Sequence, residues 1–188
     1  PEWKAQMESL GFIAWQHQSY AWENRDFHSF EDYLAVFNTN QRRNIRRERR
    51  TTERAGIYIK PLTDAEIPRQ FYTLMYTYYS RTNDQYGPWG CKYLTKAFFE
   101  GLHHRFRHRL LLMGAFDGAE YDLPVGLSLL LTKNDRLYGR YWGCAKKINH
   151  LHFNACYYGP IEWAIDNRIN SFDPGMGGYH KIRRGFTA

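Results

Sequence analysis

The chain has 188 residues, 43% of them hydrophobic and 18% aromatic, enough to fill the core of one domain of ordinary size. No stretch approaches the roughly eighteen consecutive apolar residues of a spanning helix, and the N-terminal residues are charged and lack a signal-peptide apolar run, so neither a membrane span nor a targeting segment is visible and a cytoplasmic protein is expected. The net charge of +7 favours an anionic partner or a basic surface.

Gly11 to Trp22, GFIAWQHQSYAW, is aromatic and β-compatible with partial alternation, which predicts a strand. Ser29 opens SFEDYLAVF, where Ser29 and Asp32 have the spacing of a capping box and Tyr33, Leu34 and Phe37 supply an apolar face; a short helix follows. Asn38, Thr39 and Asn40 interrupt it and cap a second helix, from Gln41 to about Ala55, which Gly56 ends. Ile57 to Leu62 reads as a strand. Thr63 with Glu66 is another capping-box pair, ahead of Ile67, Phe71, Leu74, Met75 and Tyr78 at helical spacing. Ser80 to Gly90 is polar with Gly and Pro and predicts a loop able to cover a site. Thr95 caps a further helix through Phe98, Phe99, Leu102 and Phe106. Leu110 to Phe116, Val125 to Thr132 and Leu137 to Gly143 are three strands joined by turn-rich links, an antiparallel meander.

From Leu137 to Phe186, aromatic, basic and histidine side chains are interleaved with glycines more densely than a core requires. If Leu137 to Gly143 is a regular strand, Tyr138, Arg140 and Trp142 share one face and Leu137, Gly139 and Tyr141 the other. From Tyr157 to Ile169 the residues Ile161, Ala164, Ile165 and Ile169 recur at helical spacing, and Gly159 with Pro160 suits the start of that helix, because proline needs no donor there. SFDPGMGG then returns the chain to the sheet before a loop with His180, Lys181, Arg183 and Arg184, whose glycines allow close backbone approach. The pattern predicts an α/β (α+β) fold with a mixed, mainly antiparallel sheet flanked by helices. Residues 1–56 supply an N-terminal strand and helices and residues 57–188 the core, together one compact domain.

Three groups of residues invite a chemical reading. Arg42, Arg43, Arg46, Arg47 and Arg50, with Arg49 and Arg54, crowd one helix against only Glu48 and Glu53. Charge runs are ordinarily solvated faces, but like charges at i,i+4 cost stability unless an anion offsets them, so tRNA, a nucleotide, a lipid phosphate or an acidic protein stretch are candidate ligands. The run contains no stacking aromatics and so offers charge without base reading. His104 and His108 have i,i+4 spacing but no acid in the H-E-x-x-H position, and arginines beside them repel a cation; His150 and His152 lack a third ligand. No metal is predicted. Cys91, Cys144 and Cys156 are widely spaced without a C-x-x-C pair, so reduced thiols are expected. Cys156 lies four residues after His152, but burial as a small apolar side chain is its more ordinary role. His180 and Lys181 are either a basic surface loop or the working end of an acyl transfer. In the second case His180 is the base that deprotonates an amine, Arg140 or Lys181 stabilises the oxyanion, and Glu162 orients substrate or simply favours its helix dipole.

The segments YGRYWG, LHF followed by YY and IE, F-x-PG, and HK followed by RGF resemble those of the FemAB-like peptidoglycan biosynthesis and recognition family, a branch of the GNAT acyltransferase superfamily. SFEDYL and RRNIRRERR extend the resemblance over nearly the whole chain. It implies an N-acyltransferase that moves an acyl or aminoacyl group to an amine acceptor, with Tyr138, Trp142, His152, Tyr157, Tyr158, Gly175 and Arg184 near the substrates. It implies too that the chain is the second GNAT-like half of a longer protein whose N-terminal half is its partner. The donor would be acyl-CoA or aminoacyl-tRNA. CYYGP stands where acetyl-transferring relatives place a glycine-rich pyrophosphate turn, which favours aminoacyl-tRNA. Asn154 replaces a glutamate usual in the family, and Gly177 and Tyr179 replace polar residues of a G-A-Q-G-E-H-K pattern. The alternative is a non-catalytic GNAT-like module that binds an anionic or cell-wall ligand.

Overall fold

The computed structural model describes residues 2–15, 18–118 and 123–188. Six strands form one sheet in the order β1-β6-β5-β4-β3-β2, antiparallel except for the β5–β6 pair. They are β1 (Trp22–Glu23), β2 (Ile57–Thr63), β3 (Leu110–Asp117), β4 (Gly126–Lys133), β5 (Arg136–Cys144) and β6 (Ser171–Asp173). The meander pairs as expected. Nearly every residue of β3 is buried because helices cover both faces, which is why LLLMGAF is apolar without alternation.

One face of the sheet carries α4 (Arg69–Asp84) and α5 (Lys96–Arg105). Phe71, Met75 and Tyr78 of α4 and Phe99 of α5 pack there on Leu110, Leu112, Leu127 and Leu129. The opposite face carries α2 (Phe30–Ala35), α3 (Thr39–Arg54) and α6 (Leu151–Phe153), which runs through a π turn (Asn154–Tyr158) into α7 (Gly159–Asp166). The caps foreseen for α2, α3 and α5 are present: Ser29 accepts from the Asp32 N–H, Asn38 and Gln41 form a capping box, and Thr95 accepts from the Phe98 N–H.

Several expectations are corrected. Among the described residues from Gly11 to Trp22, no strand runs the length expected. A helix, α1 (Glu2–Ser9), precedes the segment, Ala21 makes an isolated bridge to Thr187, and only Trp22 of the segment lies in a strand of the sheet, while Gln16 and His17 lie outside the described residues. Thr63 and Glu66 cap a single 3-10 turn (Asp64–Glu66), and α4 starts afresh after Pro68. The predicted loop from Ser80 is helical to Asp84, since apolar residues hold the last turns of α4 against the sheet. The helix that carries His104 stops at Arg105, so His104 and His108 do not share consecutive turns.

Two further corrections shape the site. The β4–β5 register shifts between Leu129 and Leu130, pairing Leu129 with Tyr141 but Leu130 with Gly139, so Arg140 is the extra residue of a bulge. Alternation breaks there. Trp142 falls on the face of Leu137 and Gly139, against His152, while Tyr138 shares its face with Tyr141 and not with Trp142. Gly159 and Pro160 open α7 as expected, but α7 continues the π turn without a break, so the proline lies inside one unbroken helical run. A proline mid-helix lacks its N–H and crowds the carbonyl four residues back, and the π turn answers both by widening just before it, with the Gly159 N–H bonded to Asn154 O.

Candidate functional site

The arginine-rich α3 has an inner edge and an outer edge. Ile45, Glu48 and Thr52, spaced by three and four, face inward and are buried. Glu48 accepts from Arg184 Nη2 at 2.8 Å on both carboxylate oxygens and from the Tyr158 hydroxyl. Arg184 also lies 3.5 Å from the Phe153 ring centroid and donates Nη1 to His180 O at 2.8 Å. Burying a carboxylate is costly unless it is paired and hydrogen-bonded, and the C-terminal 3-10 turn (Tyr179–Arg184) brings the partner. Sequence reading placed Glu48 in the charge run as a counterweight. Its offset of three from Ile45 was the signal that it points into the protein.

Asn154 ties the same seam together. Its Nδ2 lies 3.2 Å from Glu48 O, 2.8 Å from Thr52 Oγ1 and 3.0 Å from His150 O. A glutamate could not donate in this way, so the asparagine has its own structural task here.

Between α3 and the C-terminal turn is a cavity of about 450 Å³ whose walls include Gln41, Asn44, Arg47, Tyr179, His180 and Arg183. His180 Nε2 and the Tyr157 hydroxyl share a hydrogen bond of 2.9 Å. Burial holds the His180 imidazole below its usual pKa, helped by the charges of Arg184 and Lys181, which favours the neutral form that can accept a proton. His152, whose ring centroid is 6.4 Å from that of His180, is pushed down to about 4 by burial, then by His180, Arg184 and Lys181. Burial raises the Tyr157 phenol, and burial together with the Glu48 hydrogen bond raises Tyr158.

The glycines of the C-terminal loop admit close approach by the site's own side chains. A Cβ on Gly178, where φ is +89°, would stand 2.3 Å from His180 Cε1. Gly175, expected near substrate, takes Lys181 Nζ on its carbonyl at 2.7 Å, and Met176 O takes the same ammonium at 3.1 Å. Lys181 is buried, and burial lowers its pKa while Asp173 raises it.

The expected residues therefore fall into separate neighbourhoods. His152, Tyr157, Tyr158, His180 and Arg184 come together, with Trp142 joined through His152 at 5.7 Å between ring centroids, while Lys181 bonds Gly175 and Met176 beside them and acts on the two histidines through its charge. Arg140 does not line the His180 cavity. It lies over Tyr138 at 5.2 Å, its Nη1 3.9 Å from Asp173, because the bulge turns it away. Glu162 is elsewhere too, gripping Arg49 through both oxygens at 3.3 and 2.7 Å.

The arginines also divide. Arg42 donates to Phe37 O at 2.8 Å, Arg46 pairs with Glu31 at 2.6 Å, and Arg49 pairs with Glu162 over the Phe30 ring. Arg43, Arg47, Arg50 and Arg54, spaced 4-3-4, line one exposed stripe and meet no carboxylate among the described residues. Arg54 was not among the arginines singled out from the sequence as anion-binding; only the helical phase adds it.

Residues 1–188 match the FemAB-like family, described by peptidoglycan biosynthesis and recognition. The chain belongs to the FemAB-like family. Solved structures agree on the fold of this FemAB-like chain. L-PGS from Bacillus licheniformis is 12% identical with a TM-score of 0.58, over 94% of this chain and 50% of that one. FemX is 10% identical with a TM-score of 0.60, over 99% of this chain and 65% of that one. A conserved protein of unknown function from Bacteroides thetaiotaomicron is 13% identical with a TM-score of 0.50, over 97% and 61%. The chain thus spans between half and two thirds of the length of these structures. No curated protein matches the sequence. Among the described residues no helix is long and apolar enough to cross a membrane, and no three His, Cys, Asp or Glu side chains gather as a metal site would need.

Proposed function

We propose that this FemAB-like chain is the transfer half of an N-acyltransferase that moves an aminoacyl group from an aminoacyl-tRNA to an amine. The observation that carries the reading is the position of His180, hydrogen-bonded to Tyr157 in the wall of a cavity that also presents Arg47 and Arg183, which meet no carboxylate among the described residues. Arg47 belongs at once to this cavity and to the exposed arginine stripe, so an anionic strand lying along α3 would end beside His180. The donor is favoured over acyl-CoA because CYYGP lies within a continuous helix, where its N–H groups are engaged by the helix and do not cradle a pyrophosphate.

In the step so drawn, the amine nitrogen attacks the ester carbonyl carbon and its proton passes to His180. The tetrahedral intermediate collapses, the C–O bond to the ribose breaks, and the proton is returned to the leaving oxygen. Neither expected stabiliser of the oxyanion faces this cavity, since Arg140 is turned toward Asp173 and Lys181 is buried with its Nζ on Gly175 O and Met176 O; Arg47 and Arg183, which line it, are proposed for that role. The non-catalytic reading keeps one observation in its favour: Arg184 and Gly175, expected near substrate, spend hydrogen bonds on holding the fold together.

Transfer from aminoacyl-tRNA and from acyl-CoA to an amine, measured with the full-length protein, tests the reading. His180→Ala is expected to lower turnover about a hundredfold with donor binding retained. Wild-type turnover by that variant overturns the catalytic assignment.

A further inference from the structure

A second cavity, of about 330 Å³, lies across the Glu48–Asn154 seam from His180, between α3, β2 and α7. Its charge is of the opposite sign. Arg47, Arg183 and Arg184 against Glu48 make the His180 cavity basic, whereas here Glu53, Glu162 and Asp166 face the single cation Arg49. Arg49 is neutralised by its two-oxygen pair with Glu162, so Glu53 and Asp166, both exposed and without a salt bridge among the described residues, leave the mouth anionic in a chain of net charge +7. The walls below are apolar: Ile59, Pro61, Met113 and the rings of Tyr58 and Trp163.

Asn154 supplies the observation that points to a ligand. It is 5% exposed and forms part of this wall. Its three contacts on Nδ2 fix which way the amide faces, and leave Oδ1 as an acceptor that no described N–H or O–H group reaches. Oδ1 is not among the buried atoms left without a partner, so it is open to solvent on the apolar, acid-rimmed cavity, where a donor that carries positive charge would answer both it and the rim. We infer that this cavity binds a primary ammonium on an apolar stem, the N–H groups bonding Asn154 Oδ1 and the charge answered by Glu53 and Asp166. The site stands on its own residues and holds whether or not His180 is catalytic.

Asn154 also clamps α3, so a change there tests the fold; the exposed rim acids carry the test. Calorimetric titration of the whole protein with 2-phenylethylammonium should show saturable binding at least about tenfold tighter than with 2-phenylethanol, which has the same stem without the charge. The double variant Glu53→Gln/Asp166→Asn should weaken the ammonium about tenfold and leave the alcohol unchanged, while Arg47→Gln in the other cavity changes neither. Equal binding of ammonium and alcohol, no saturable binding at millimolar concentration, or a double variant that binds as the wild type would each overturn the assignment.

Discussion

Glu48 and Arg184, 136 positions apart, meet through both carboxylate oxygens at 2.8 Å in the protein interior. The pair joins the most basic helix to the last turn of the chain and so sets where His180 stands. Removing one member leaves the other charged and buried, a penalty of about 3–5 kcal/mol. Glu48→Leu should therefore lower unfolding free energy by that order in urea, and Glu48→Leu/Arg184→Met should recover most of it. A single variant as stable as wild type would show that the pair contributes nothing.

Acid sensitivity should trace to His152. Its folded-state pKa of about 4 lies below the 6.5 of the unfolded chain, so between those values the unfolded state binds more protons. Stability is complete above about pH 6.5 and falls as pH drops toward 4, by up to about 3 kcal/mol from this residue. His180, lowered in the same direction by burial, adds to the slope. Denaturant midpoints measured from pH 7 to pH 4 should fall steeply in the wild type and less steeply in His152→Phe.

The split among arginines predicts a split among variants. Changing Arg43, Arg47, Arg50 and Arg54 to Gln should weaken tRNA or heparin binding and reduce the salt slope by about 0.7–0.9 per lost phosphate contact, with folding little changed. Arg49→Gln should instead destabilise, since it frees Glu162 and uncovers Phe30. Electrophoretic shifts across a salt series, beside melting curves, separate the two sets.

Gly178→Ala should displace the His180 ring while leaving every proposed catalytic side chain in the sequence. The added methyl meets the imidazole and the backbone is held at positive φ, so a cost of about 1–3 kcal/mol accompanies displacement of the ring. Loss of transfer with donor binding kept is the expected reading in a paired kinetic and binding assay.

The sheet was legible because β3, β4 and β5 owe their pairing to local signals, apolar runs cut by turn residues. Their neighbours in the chain were legible for the same reason. Arg140 was misplaced because a bulge depends on how two strands settle against each other, and nothing in GRYWG marks which residue is extra. Pro160 was read from its own chemistry as the first residue of a helix. The partners that hold the chain helical before it, Glu48 and Thr52, are a hundred residues away. His180 and Tyr157 could be proposed from sequence but not paired, since the contact exists only once the 3-10 turn has closed on α3 through Arg184.

The π turn has a consequence for how such a chain can vary. A helix with one residue too many in a single turn has two halves out of step by about 100°. Here the π turn itself holds Tyr157 and Tyr158 toward His180 and Glu48, and the half after it turns Glu162 toward Arg49. Deleting one residue between Asn154 and Tyr158 would restore an even helix and swing one set of these side chains a quarter-turn from its partners. The positions of two cavities relative to each other are in this sense encoded by chain length at a single point, where one codon gained or lost re-aims an entire wall.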